Sequence, residues 1–326
     1  MNSPADRPAE TAGAPSAARP AGGPSPLSRS GLGYAVSAYV LWGFLPVYFI
    51  ALAPSGPVEI VAWRILLSLV FCALLLAVTR GWRSFWALLR DRRVLFTMGA
   101  AGVLIFVNWL TYVYAAVSGQ VVEAALGYFI NPIVTVFLGV LVLRERLSTM
   151  QWVAVGISIV AVVVLAVGHG QFPWIALVLA FSFGFYGLIK KRVGHRVDAV
   201  SGLTLETLWL APVAAGLLWW VAASGGLTMG TVSAWHTVLL ACAGAVTAVP
   251  LLLFAAASRR LPLIHLGFIQ YFAPFIQFLV GVLILREPMP LERWIGFALV
   301  WVALIVLTID LVRNARAARK LVAEPV

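Results

Sequence analysis

The chain has 326 residues, of which 62% are hydrophobic and only 11% charged, against roughly 45–50% and about 25% in an ordinary soluble domain. So few charged groups cannot coat a water-soluble globule, and the apolar excess calls for lipid. The net charge of +11 would suit nucleic acid if the cations made one continuous surface, but they recur between apolar runs, so a nucleic-acid partner is unnecessary.

Residues 1–30 hold 21 Ala, Pro, Ser and Gly. That composition cannot offset the entropy of ordering and reads as a disordered N-terminal tail. Ala51-Leu52-Ala53 mimics a signal-peptidase site, yet the apolar run before it begins near Gly31 and Pro54 follows at once. The first helix is therefore expected to be retained. Cuts at Gly, Pro and charge clusters then give ten apolar segments: 31–53, 58–79, 94–115, 121–143, 150–168, 172–189, 201–223, 234–257, 262–285 and 291–312. Each has about the length that crosses the hydrocarbon core. Residues 313–326 form a basic C-terminal tail. Between the second and third segments, Trp82, Phe85, Trp86 and Leu89 share one helical face with Arg83, Arg90 and Arg93 interleaved, the pattern of a short helix lying in a lipid interface. Ten spans put both termini on one side of the bilayer. Alternate connectors on that side hold 20 Lys and Arg, the opposite connectors only Arg286 and Arg293, and Arg64 alone lies inside a span. The positive-inside rule makes the arginine-rich side cytoplasmic.

A shift of 142 residues lays PIVTVFLGVLVLRE at 132–145 on PFIQFLVGVLILRE at 274–287, with 7 identities in 14 positions. The register continues through Trp152 onto Trp294. Two five-span copies follow, at 31–168 and 169–312, and an odd number of spans inverts one copy relative to the other. The expected fold is an all-α membrane protein of two inverted five-helix repeats, an arrangement suited to alternating access. Pro132 and Pro274 fall near the middle of spans four and nine, and each is expected to break its helix and free a carbonyl near Tyr128 or Gln270.

No Gly-Lys dipeptide occurs, so a Walker phosphate loop is absent. The aspartates lie in the tail or near span ends, the four histidines are scattered, and Cys72 and Cys242 make no redox or metal spacing. Nothing implies catalysis, a metal or a cofactor. What remains is a set of costly polar groups within lipid, each a functional candidate by default. Arg64 needs a carboxylate or a substrate anion, and Glu123 is its expected structural partner. Glu123, Glu59 and Glu206 are candidates for a proton-coupled carboxylate. Asn108, Trp109, Tyr112, Tyr128, Asn131, Gln270, Tyr271 and Gln277 are candidates for lining a mixed polar and aromatic pocket, though such groups equally join membrane helices to one another. Arg144-Glu145 and Arg286-Glu287 recur at matching ends of the two copies as helix-end clamps or gates.

These residues carry a family resemblance. The runs NWLTY at 108–112, EAALGYFINP at 123–132, LRERL at 143–147, SFGFYG at 182–187, ETL at 206–208, VTAVPLLLF at 246–254, GFIQYFAP at 267–274 and REP at 286–288 resemble the RarD group of the EamA branch of drug/metabolite transporters. The likeness spans about Gly31 to Val312. His265 and the Ala/Pro-rich tail depart from the family pattern. The resemblance implies ten helices in two repeats, a bacterial inner membrane, and secondary transport of small metabolites or drugs, typically outward. The expected partners are a small-molecule substrate and the lipid bilayer, with a homodimer left open. A non-transporting membrane scaffold or sensor on the same fold is the alternative.

Overall fold

The computed structural model describes residues 29–143, 147–168, 172–193, 196–258, 260, 261, 266 and 269–323. The tail before residue 29, Arg144 and Glu145 lie outside them. The described residues are helical, without strands: α1 (Arg29–Gly43), α2 (Leu45–Ala51), α3 (Pro57–Val78), α4 (Trp82–Arg90), α5 (Arg92–Val117), α6 (Val121–Leu143) and α7 (Thr149–Gly168) come from the first half of the chain. The second half gives α8 (Trp174–Val193), α9 (Ala199–Ala223), α10 (Ala234–Ala241), α11 (Ala243–Ser258), α12 (Phe272–Leu279), a π-helical turn at Val280–Ile284, and α13 (Leu291–Ala323).

Eight of the described helices are long and apolar enough to cross a membrane, counting Arg29–Ala51 and Ala234–Ser258 as single spans. The expected ten is not reached, because two segments fall short. Trp174–Lys190 is cut by the basic cluster at its end, and Phe272–Ile284 is the described part of an expected span whose first turns lie largely outside the described residues. Their outward surfaces agree with a lipid setting. Large apolar side chains such as Val78, Val167 and Trp219 stand 82%, 78% and 75% exposed, a surface that water would not tolerate over such an extent.

Local sequence sets the ends. Asp91 accepts from the Arg93 and Val94 amides to start α5, and Asp198 accepts from Val200 and Ser201 to start α9. Both satisfy amide groups that a helix start leaves without partners. Pro46 lies in the first turn of α2, where a missing N–H costs nothing. Phe85 buries itself among Leu76, Val94 and Met98 while Trp86 stays 56% exposed, which gives α4 the expected two faces.

The two prolines sit differently, and neither frees a carbonyl in the expected way. Pro132 does not break its helix, since α6 is continuous from Val121 to Leu143. Pro274 follows a turn at Gln270 and Tyr271 and sits in the first turn of α12. A proline there loses no helical hydrogen bond, whereas Pro132 is tolerated within a helix held tightly by its neighbours.

The helix interfaces pair off when the halves are exchanged. Counterparts α3 and α9, α6 and α12, and α7 and α13 pack directly on each other. The α5–α8 contact is matched by α11–α1, α3–α11 by α9–α5, and α6–α8 by α12–α1. Two glycines permit the closest approaches. A methyl at Gly127 would lie 2.7 Å from the Ala176 carbonyl oxygen of α8, and one at Gly244 would overlap the Leu67 backbone of α3. Small residues at such crossings let backbones touch, and dispersion then replaces the hydrophobic drive that lipid removes.

Candidate functional site

Arg64 enters the middle of the bundle from the second turn of α3, 5% exposed. Its Nε donates to the Thr247 hydroxyl of α11 at 2.8 Å. The guanidinium lies over the Trp109 ring, 4.1 Å from its centre, with Phe49 5.4 Å away on another side. Such a cation–π contact contributes about 2 kcal/mol when desolvated. Thr247 in turn donates to the Ala243 carbonyl, so its oxygen is held where Arg64 needs an acceptor. The expected Arg64–Glu123 clamp is not formed. No described carboxylate pairs with Arg64, because Glu123 is engaged elsewhere.

Around Arg64 the aromatic residues form a chain. Ring centres of Phe49 and Tyr112, Tyr112 and Tyr128, and Tyr128 and Phe183 are 6.0, 5.6 and 6.1 Å apart. The Tyr128 hydroxyl donates to Asn108 Oδ1, and Asn108 Nδ2 donates to the Leu179 carbonyl and the Ser182 hydroxyl. Asn108 and Tyr112 thus use one face of α5, as their spacing requires. Gln277 approaches from α12. Its Nε2 donates to the Trp42 carbonyl at 3.1 Å, which leaves its Oε1 toward Tyr112. Of the buried polar atoms here, Arg64 Nη1 has no hydrogen-bond partner, and the Tyr112 hydroxyl and Gln277 Oε1 have none but each other. Native interiors leave few such groups, and a cluster of them calls for explanation.

The other acidic candidates lie apart from Arg64. At the charge-poor end of the bundle, Glu59 accepts from the Thr228 and Met229 amides and the Thr228 hydroxyl, at 2.8, 3.1 and 2.8 Å. Ser55 and His236 extend that lock to the Leu52 carbonyl. Glu123 accepts from the Ile175 amide at the start of α8, and Glu287 from the Val121 and Val122 amides at the start of α6. Arg293 lies near both carboxylates. Burial, with the neighbouring Glu123 charge, pushes the Glu287 carboxyl above its ordinary range against the pull of its two amides and Arg293. Glu287 is a helix-end clamp; Arg286 beside it takes a left-handed backbone, φ 53°, and is exposed. Glu206 is different. Buried at 1% exposure, it pairs with Lys190 at 2.7 Å and receives the Tyr186 hydroxyl at 3.3 Å. Phe183 and Tyr186 rings, 5.8 Å apart, continue the aromatic chain from Tyr128 to this pair.

Three further candidates do not join the cluster. Tyr271 lines an apolar outer groove of about 520 Å³ with Phe129, Phe275 and Trp301, and Gln270 belongs to the turn beside it. Asn131 accepts from Thr135 one turn along α6. Sequence reading missed Thr247, Phe49, Lys190 and Tyr186. Thr247 carried a signal, as a hydroxyl in an apolar span two helices from the end; Lys190 did not, since it reads as one of a cytoplasmic basic cluster.

A multi-pass helical membrane protein with matching halves around a buried polar cluster is the class this arrangement defines. The chain belongs to the EamA-like transporter family, whose model matches it twice, over residues 29–167 and 173–309. It is 49% identical over 291 residues to a protein RarD of Streptomyces exfoliatus, covering 89% of this chain and 92% of that one. It is 40% identical to protein RarD of Escherichia coli, covering 90% and 98%, and 39% identical to an uncharacterized transporter of Vibrio cholerae, covering 90% and 96%. A solved crystal structure superposes with TM-score 0.55 at 19% identity over 87% of this chain and 98% of its own, a likeness of fold.

Proposed function

We propose that the chain is a gradient-coupled secondary transporter that moves small organic solutes outward across the cytoplasmic membrane by alternating access. The observation that carries this reading is the Arg64 cluster, because it is built from both halves at once. Phe49, Arg64, Asn108, Trp109, Tyr112 and Tyr128 come from the first half, and Thr247 and Gln277 from the second. In the proposed arrangement the halves are inverted copies, and the arginine-rich end faces the cytoplasm. A rocking of one half against the other then exposes the same cluster to each side in turn. The transporter names of the relatives agree with it.

Among the acidic candidates, Glu206 fits coupling better than Glu59 or Glu123. Its partners are the side chains of Lys190 and Tyr186, which a helix movement can separate, whereas Glu59 and Glu123 hold backbone amides. Proton binding at Glu206 would release Lys190 and so break the side-chain link between α8 and α9. The test is metabolite comparison between cells with and without the protein, followed by flux of the accumulated solutes in proteoliposomes under an imposed proton gradient. Gradient-dependent flux in the native protein, lost in Arg64→Gln and uncoupled in Glu206→Gln at equal membrane level, is expected. Solutes that move at the same rate with and without the gradient would rule out coupling.

A further inference from the structure

We infer that the solute held at Arg64 is an organic monocarboxylate with an apolar body and a nearby hydrogen-bond donor. This rests on the reading of the Arg64 cluster as the solute site, and deepens it to a chemical class.

Charge decides first. Arg64 is a buried guanidinium, and its described neighbours Thr247, Phe49, Trp109, Tyr48, Tyr112 and Tyr128 are all neutral at pH 7. A solitary charge in a low-dielectric interior is costly until an opposite charge joins it. An organic cation would meet repulsion here. A phosphate dianion would call for a second cation, and Lys190, at the far end of the aromatic chain, is committed to Glu206. One carboxylate balances one guanidinium.

The unpartnered atoms decide the rest. Arg64 Nη1 is a donor and calls for an acceptor, which a carboxylate oxygen supplies as a short charge-assisted bond. Gln277 Oε1 is an acceptor beside the Tyr112 hydroxyl, which can donate to it, while its amide nitrogen serves the Trp42 carbonyl. With its proton toward Gln277, the Tyr112 oxygen keeps lone pairs for a donor group that enters close to Arg64. A hydroxyl or amino group close to the carboxylate matches that set of atoms. The rings of Trp109, Phe49 and Tyr128 around Arg64 and Tyr112 make the surroundings apolar, which suits a solute with an apolar body.

The experiment uses full-length protein in lipid nanodiscs and follows its thermal unfolding. The probes are 2-hydroxy acids from lactate to phenyllactate, each beside its neutral amide, its deoxy acid and the corresponding amino alcohol. A ligand of the folded form raises the unfolding midpoint. At least one acid is expected to act at a concentration about tenfold or more below that of its amide, the loss expected for removing a charged hydrogen bond. Its deoxy acid should be weaker, and the amino alcohols inert. Arg64→Gln should erase the preference for acid over amide, and Arg64→Lys should keep part of it. The inference is overturned if no acid surpasses its amide, if amino alcohols stabilise as well as acids, or if Arg64→Gln retains the preference. Flux in proteoliposomes separates the two readings. Acids that bind without crossing leave the site and remove the transporter; amides or amines that bind and cross leave the transporter and remove the carboxylate.

Discussion

Three of the buried charges in this bundle, Glu59, Glu287 and Arg64, each predict a different response to substitution. Glu59 is satisfied by amides and a hydroxyl of the 224–233 connector. Glu59→Ala would strip those amides of their acceptor, at a cost of about 1–3 kcal/mol, seen as a lower unfolding midpoint without solute. Glu287 is clamped yet pushed upward by burial. A carboxyl whose folded pKa lies above its unfolded value binds its proton more tightly when folded, so its contribution to stability declines as pH rises between the two values. Native protein should therefore lose stability relative to Glu287→Gln across that window, as paired unfolding curves from about pH 4 upward would measure; a constant gap would show that Glu287 does not titrate differently on folding. Arg64 is the third case, held by one hydroxyl and two ring faces. Its predicted signature is functional, with solute movement lost while membrane level persists.

At the scale of helices, packing depends on where a side chain is missing. Gly127→Ala places a methyl 2.7 Å from a carbonyl of α8, and overpacking of this kind costs about 1–3 kcal/mol. At Gly156, in α7, a methyl would meet nothing within 4 Å, so Gly156→Ala should be neutral or gain up to about 1 kcal/mol from helix propensity. Unfolding midpoints of the two variants in one lipid would compare them, and equal midpoints would contradict the tight α6–α8 crossing. Most helix positions were legible from apolar runs, and α4 from its ring spacing, because lipid forces the backbone into helices of predictable length. Helix irregularities were not. Pro132 and Pro274 look alike in sequence, but one sits inside a helix and the other in a first turn, a difference made by neighbours on other helices.

For the whole molecule, the duplication was readable because paired Pro, Gly and Arg-Glu recur in one register, and the family matches its model once in each half. The site was readable in part. Arg64, Asn108, Tyr112, Tyr128 and Gln277 stood out as polar groups in apolar spans, and they converge. The partner of Arg64 was not readable, since a carboxylate at a similar depth was the obvious candidate while Glu123 instead caps α8. Choosing Thr247 required knowing that α11 lies against α3. The central claim is that this cluster is reached from both faces of the membrane. In a protein with Cys72 and Cys242 replaced, Thr247→Cys in oriented vesicles would be challenged with a membrane-impermeant thiol reagent applied to one side at a time. Labelling from each side, with protection by bound solute, is the predicted result; labelling from one side only, under every condition of gradient and solute, would contradict it.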